Sequence, residues 1–467
     1  MFGSAPRSRA DLPVDHAAAA ARFTASEART DWHDRALWFL RAKRDAAAAE
    51  VAGWEALREQ ASQIKAHTLS RLADYLEQFE ARARANGINV YWAADAAEHN
   101  RIIFALLYGY GLTRVVKSKS MLTEECGLNG FLQERGIEVV DTDLGEHIVQ
   151  LAGHAPSHIV LPAIHIRKRE IGALFQQHLG TEPGATDPQY LVAAARRHLR
   201  TRFLEAQAAI TGVNFAIAET GGFVVCTNEG NADLGTHLAP VHIASMGIEK
   251  VIPRTEDLAV FLRLLARSAT GQPLTVYTSH FLRPRPGTEI HLVLVDNGRS
   301  AHLARPEFRD ALKCIRCGAC LNTCPVYRRS GGHSYGTSIA GPIGAILAPA
   351  RDLRKYASLP FASTLCGSCA EVCPVKIDIP GQLYRWRQVI GATHPDRFKA
   401  TSSRIAAGLF SHPFLFRRVA GLVRVLRAWL PRSLLYQRRN AWGKRRELPV
   451  LPDRTFRAWY RAQRKGS

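Results

Sequence analysis

No stretch of this chain is both long and apolar enough to cross a bilayer: no uninterrupted run reaches the roughly 18 residues required. The opening MFGSAPRSRADLPVDHAAAAARF has an alanine run but lacks the strongly apolar segment of a secretory signal. No G-x-x-x-x-G-K-[ST] loop occurs, nor a G-x-G-x-x-G run after a strand, so the common nucleotide fingerprints are absent. Acidic residues are scarce at one end: residues 385–467 hold 20 Lys and Arg against 3 Asp and Glu. Of the net charge of +21, that tail carries +17 and the other residues only +4. Such a tail suits nucleic acid, anionic lipid or an acidic protein, and its composition does not choose among them. A cytoplasmic protein is expected, with a tail able to reach the inner face of a membrane.

Cysteine is sparse except in one place. Seven of the nine fall between Cys314 and Cys373, while Cys126 and Cys226 stand alone. Clustering of this kind without a secretion signal points to metal rather than disulfides. The lone pair sits in expected α/β elements, where a thiol reads as a small buried hydrophobe.

The first dense run is CIRCGACLNTCP, with Cys314, Cys317, Cys320, Cys324 and Pro325. This C-x2-C-x2-C-x3-C-P spacing is that of ferredoxin cubanes, in which the fourth cysteine crosses to the other cluster. The second run, STLCGSCAEVCP, has three cysteines, and Ser363 stands where the first would be. Crossing puts Cys314, Cys317, Cys320 and Cys373 on cluster 1 and leaves Cys324, Cys366 and Cys369 for cluster 2. Paired C-x2-C also binds structural zinc, but zinc needs neither the third step nor the trailing C-P. Two [4Fe–4S] clusters are the expectation. Four options remain for the second: Ser363 as a poor alkoxide ligand, a distant Cys126, Cys226 or His333, a [3Fe–4S] cluster, or a fourth iron open to an outside ligand. Three protein ligands with that open iron is the expected state.

Around these runs the periodicity changes three times. Residues 1 to about 85 are rich in Ala, Leu, Glu and Arg, and Leu69, Leu72, Tyr75, Leu76 and Phe79 recur at helical steps. From 88 onward strands alternate with helices: INVYWA, TRVVKSKSM, IEVVDTD, SHIVLPA, HIASMGIEKVIP, LTVYTSHFL and IHLVLVDNG read as β-rich. That alternation predicts an α/β domain with a parallel or mostly parallel sheet. The Gly- and Pro-rich stretch between the cysteine runs suits loops and short helices. In the tail Val419, Leu422, Val423, Leu426 and Leu430 share one helical face and Arg417, Arg424 and Arg427 another. The expected division is a helical segment 1–69, an α/β domain 70–300, a mostly helical two-cluster domain 301–395 and a basic region 396–467.

Two polar constellations stand out in the α/β part. Lys117 and Lys119 end a strand before Thr123, Glu124 and Glu125, at a position where α/β sheets bind ligands and where a solvated turn is the plainer reading. Glu219, Thr220 and Gly221 form one turn and Thr227, Asn228, Glu229, Gly230 and Asn231 another, serving either a hairpin or an anion site.

Taken together, KSKSMLTEECGLN, DLGEHIVQLAGHAPSHIVLPAIH, AETGGFVVCTNEGN, CIRCGACLNTCPVYRRSGGHSYG and LCGSCAEVCPVKIDIP resemble the lactate utilisation protein B family, over about residues 60–450. The resemblance implies a lactate-utilisation domain similar to the sugar-isomerase and CoA-transferase-like fold, followed by a two-cluster ferredoxin-like module. It implies electron transfer beside two partner subunits that jointly oxidise L-lactate to pyruvate. It also implies that seven cysteines are the family's pattern, so that Ser363 is not a defect of this chain. The rival reading is a redox-sensing or nucleic-acid-binding iron–sulfur protein. It rests on the tail's composition alone, and nucleic acid is not the expected partner.

Overall fold

The computed structural model describes residues 12–393, 397–429, 452 and 454–464. The chain divides into two compact units, Met1–Ile390 and Gly391–Ser467.

The first unit is built on a six-stranded parallel sheet. Its strands are β1 (Asn89–Ala93), β2 (Arg114–Lys117), β3 (Glu138–Asp141), β4 (Ala208–Gly212), β7 (Val241–Gly247) and β10 (Glu289–Val295), in the order β1-β10-β7-β4-β2-β3. The strands β7 and β10 are buried along almost their whole length. This is why Leu292–Val295 is continuously apolar rather than alternating, as expected for a strand covered on both faces. A four-stranded mixed sheet, β8-β5-β6-β9, adds β5 (Phe215–Ile217), β6 (Gly222–Thr227), β8 (Val251–Ile252) and β9 (Tyr277–Phe281). The fold is therefore mixed α/β with a parallel main sheet.

Four helices precede β1, at His16–Thr24, Glu27–Ala49, Trp54–Ser70 and Leu72–Ala85. The chain kinks at Arg71, yet Leu69, Leu72, Leu76 and Phe79 still share one core beneath the sheet. Leu37 and Leu57, from the second and third helices, lie in another core with Phe261, Cys317, Cys320, Tyr327 and Trp386. The cysteine-bearing segment is thus packed into the same apolar interior as the N-terminal helices. Its spacer carries short helices, the longest being Gly341–Arg351.

One expected strand does not form. SHIVLPA, residues 157–163, is a series of bends and turns. The physical reason is His158, whose Nδ1 accepts the backbone N–H groups of Val160 at 3.0 Å and Leu161 at 3.1 Å. Those amides are spent on a local side chain, and Pro162 has none to offer a neighbouring strand.

In the second unit, Arg397–Ser411, Pro413–Trp429 and Phe456–Arg464 are helical. Leu422, Val423 and Leu426 are exposed there, while Leu430 and the Arg427 side chain lie outside the described residues.

Candidate iron–sulfur site and the adjoining cavity

The two cysteine loops have the same backbone design. Arg316 (φ 62°) precedes Cys317 and Gly318 (φ 77°) follows it; Leu365 (φ 57°) precedes Cys366 and Gly367 (φ 88°) follows it. Left-handed conformations are costly for Arg and Leu, so their repetition marks loops held to one shape. A short helix begins directly after each glycine, at Ala319–Thr323 and Ser368–Glu371. In the first loop the amide of Arg316 donates to Cys314 Sγ at 3.4 Å. In the second the amide of Leu365 donates to Ser363 Oγ at 3.1 Å. Ser363 therefore occupies the structural place of Cys314, with a hydroxyl where the first loop has a thiol.

The thiols fall into two groups. Cys317 is influenced electrostatically by Cys314 and Cys373, and Cys373 by Cys314. These three and Cys320 line one small cavity, closed by Ile159, Ile343, Val375 and Ile377. Cys324 is influenced by Cys366, and Cys369 by both. Cys320 also feels Cys369, which brings the two groups next to each other. Burial pushes most of these thiols up, Cys369 to about 12 and Cys373 to about 11. Cys366 is shifted the other way. It is exposed, and hydrogen bonds from the Thr364 hydroxyl and the Ser368 amide hold its pKa down.

Such a donor set fits iron–sulfur chemistry. Buried thiolates need positive charge, which a bound metal core supplies. Backbone amides of Tyr327 and Ile377 donate to Cys324 and Cys373 sulfurs at 3.4 Å, as Arg316 does to Cys314. Among the described residues no three His, Cys, Asp or Glu side chains converge as they would on a single ion. A cubane would add its own irons and sulfides between the thiolates.

The distant candidates lie elsewhere. Cys126 is in the core of the parallel sheet, pushed up to about 12 by burial and by Glu125. Cys226 lies against Thr275 and Lys250, with burial raising it to about 11. His333 bonds to the Ala155 carbonyl at 2.7 Å and packs on His165 and His154.

A second feature adjoins the first cysteine loop. A cavity of about 600 Å³ opens at the C-terminal ends of the main sheet and reaches Cys317. From β2 the chain moves outward to β3, whereas from β4 it moves the other way, to β7 and β10. The cavity meets the ends of β2 and β4, at Ser120 and Gly212, which is the switch point where α/β sheets bind ligands. Gly212 is required there, since a Cβ would come 2.9 Å from Ser120 Oγ.

The polar constellations are divided by the fold. Lys119 lines this cavity, paired with Asp143 at 2.6 Å. Lys117 is no solvated turn residue. It is fully buried between Asp141 at 2.7 Å, Glu124 at 3.0 Å and Glu146 at 3.7 Å, which makes it structural. Thr227, Asn228, Glu229 and Asn231 line the cavity, but Glu219 does not; it caps Thr255 instead, accepting from its amide at 2.9 Å and its hydroxyl at 3.0 Å. The two turns therefore do not form one site.

Sequence reasoning missed the charged wall of the cavity. Arg299 binds Glu249 at 2.6 Å and Glu125 at 3.2 Å, and Arg316 reaches Glu249 at 3.3 Å. Lys250 also lines it, its pKa lowered to about 8 by burial and then by Arg316. These residues come from distant segments. Glu125 was already marked at its strand end, and the other visible signal was Glu-Lys inside the apolar run HIASMGIEKVIP. Arg58 was missed as well: it donates to the carbonyl of Cys373 at 2.8 and 3.0 Å and to that of Glu371 at 2.7 Å.

Comparison with known proteins agrees with these two features. A LUD domain model matches residues 76–301 and a 4Fe–4S dicluster domain model matches 310–377. The uncharacterized electron transport protein YkgF of Escherichia coli (strain K12) is 41% identical, covering 90% of each chain. Lactate utilization protein B of Bacillus cytotoxicus is 42% identical and that of Macrococcus caseolyticus 40%, each over 90% of this chain and 91% of the relative. The likeness to a solved duf162 family protein from Deinococcus radiodurans is faint, with a TM-score of 0.27 and 15% identity over 48% of this chain and 98% of that one. An α/β domain of LUD type, joined to paired cysteine loops and matched along nine-tenths of its length, makes this chain a member of the lactate utilization protein B family.

Proposed function

We propose that this chain is the iron–sulfur electron-transfer component of a three-protein system that oxidises L-lactate to pyruvate. The observation that carries the reading is the grouping of seven thiols into a set that is buried apart from half-buried Cys314 and a set that reaches the surface at Cys366. Cys314, Cys317, Cys320 and Cys373 would hold a [4Fe–4S] cluster in the interior. Cys324, Cys366 and Cys369 would hold a second beside exposed Cys366, with Ser363 facing the remaining position. When bound, such clusters supply one-electron transfer. The protein's own residues fix the thiolates and donate backbone N–H groups to the sulfurs of Cys314, Cys324, Cys366 and Cys373.

The names of the relatives, lactate utilization protein B and electron transport protein, support this reading. No nicotinamide or flavin fingerprint is evident in the sequence, so the two-electron step is assigned to one of two partner subunits. A cytoplasmic location follows from that role. For the tail we favour docking on an anionic membrane face. Its helix Pro413–Trp429 exposes Phe414, Leu415, Leu422 and Leu426 and has no acidic residue.

The test is anaerobic. The reconstituted chain is mixed with its two partner proteins, L-lactate is added, and cluster absorbance and EPR are followed. Bleaching that requires lactate and all three proteins is expected. Clusters that load fully but remain oxidised would overturn the reading.

A further inference from the structure

The structure assigns a second role to the α/β domain: we infer that its strand-end cavity is a binding site for an organic carboxylate, seated between Lys250 and Arg316 and against the first cysteine loop. The inference goes beyond the electron-transfer reading and holds whichever protein of the system oxidises lactate.

The argument begins with unbalanced charge. Lys65, Lys250, Arg299 and Arg316 gather around two acids, Glu125 and Glu249. Arg299 is satisfied by both acids. Buried Lys65 donates to the carbonyl of Glu249. Arg316 has one Nη on Glu249, while its other Nη is buried without a partner. Among the described residues no hydrogen bond or ion pair is made by the Lys250 ammonium, which lines the cavity. Two residues of the lining thus carry a donor without a partner. A cluster held by Cys314 and Cys317 would be a net anion and would draw on part of this excess. Lys250, however, lines the large cavity and not the small one enclosed by the cysteines.

The shape of the cavity supplies the rest. Its volume of about 600 Å³ is within the usual range for small-molecule sites. Met121, Ile159, Val213 and Leu265 add apolar lining to the cations, so the fitting ligand has an apolar body and one anionic end. Two donors match the two oxygens of a carboxylate. A phosphate is the poorer fit: no glycine-rich phosphate loop borders the space, and Asp143 and Glu229 line it, which disfavours a dianion. Contact with Cys317 would put the ligand directly beside the inner thiolates.

The experiment uses the full chain, anaerobically loaded, without partner proteins. Pyruvate, phenylpyruvate and inorganic phosphate are tested separately by equilibrium dialysis, and EPR of the reduced protein is recorded with each. At least one carboxylate is expected to bind one per chain and shift the EPR signal, phenylpyruvate more tightly than pyruvate. Lys250→Met should weaken that binding tenfold or more with iron content unchanged, and Lys250→Arg should retain it. Absence of carboxylate binding, binding of phosphate alone, or equal binding by Lys250→Met would each overturn the assignment. Iron loading reports on the thiol set independently, so failure here is distinct from failure of the electron-transfer reading.

Discussion

At Ser363 one atom separates the two cysteine loops. Backbone shape, the flanking left-handed residues and the local N–H donor are all repeated, and only the sulfur is missing. Ser363→Cys is therefore expected to complete the second set without moving the chain. Its second cluster should survive air or chelator several-fold longer than in the parent, read as iron retained over time; equal loss would mean the side chain does not face the open position. Lys117 gives a different expectation. With its side chain fully buried among Asp141, Glu124 and Glu146, Lys117→Met leaves carboxylates without their cation and should cost about 3–5 kcal/mol in denaturant unfolding. His158 is a pH-dependent residue. Its Nε2 donates to Asn322 Oδ1 at 2.9 Å while Nδ1 accepts two amides, and burial pushes its pKa down to about 3 from an ordinary 6.5. The folded protein keeps this ring neutral while the unfolded chain protonates it below about 6.5. Its stabilisation is complete above that pH and is lost as pH falls toward 3. The melting temperature should drop between pH 7 and pH 5, with a shallower slope in His158→Asn.

Among the elements, the helix Trp54–Ser70 is the one that supports the candidate site from outside it. Arg58, one of its buried residues, ties the carbonyls of Glu371 and Cys373 to the N-terminal region, and Arg44 on the preceding helix does the same for Val372 at 3.2 Å. Both act on the backbone that presents the crossing cysteine. Arg58→Met should leave helical circular dichroism unchanged and speed iron loss from the inner set several-fold in a chelator assay. The bent segment 157–163 is the counterpart on the other side. It reads as a strand by composition, but one histidine consumes its amides, and the resulting turn puts Ile159 against both the small and the large cavity.

Over the whole molecule, charge and fold are separated. The first unit ends at Ile390, and +15 of the net charge of +21 lies beyond it. A chain cut after Ile390 is expected to load iron as the full protein does. It should lose co-sedimentation with vesicles rich in acidic lipid, and binding of the full chain to such vesicles should weaken steeply with salt. Retained vesicle binding by the shortened chain would place the membrane contact elsewhere.

The spacing of the cysteines is a local property, so the sequence alone determined the two loops and the serine that stands at 363 in the place of a first cysteine. The alternation of apolar runs likewise determined a parallel α/β sheet, because strands covered on both faces must be continuously apolar. Tertiary structure alone decided what lies beside those loops. Lys65, Glu125, Glu249, Lys250, Arg299 and Arg316 are scattered across some 250 positions, on helices, on segments that follow strands and on the first cysteine loop, and meet only in the folded chain. The same holds for Lys117 and Lys119, two residues apart: the strand ends at Lys117, which is buried among carboxylates, and Lys119 lies beyond it in the connecting segment, where it lines a cavity. No linear pattern encodes that difference, since it depends on which neighbours the fold brings to each face.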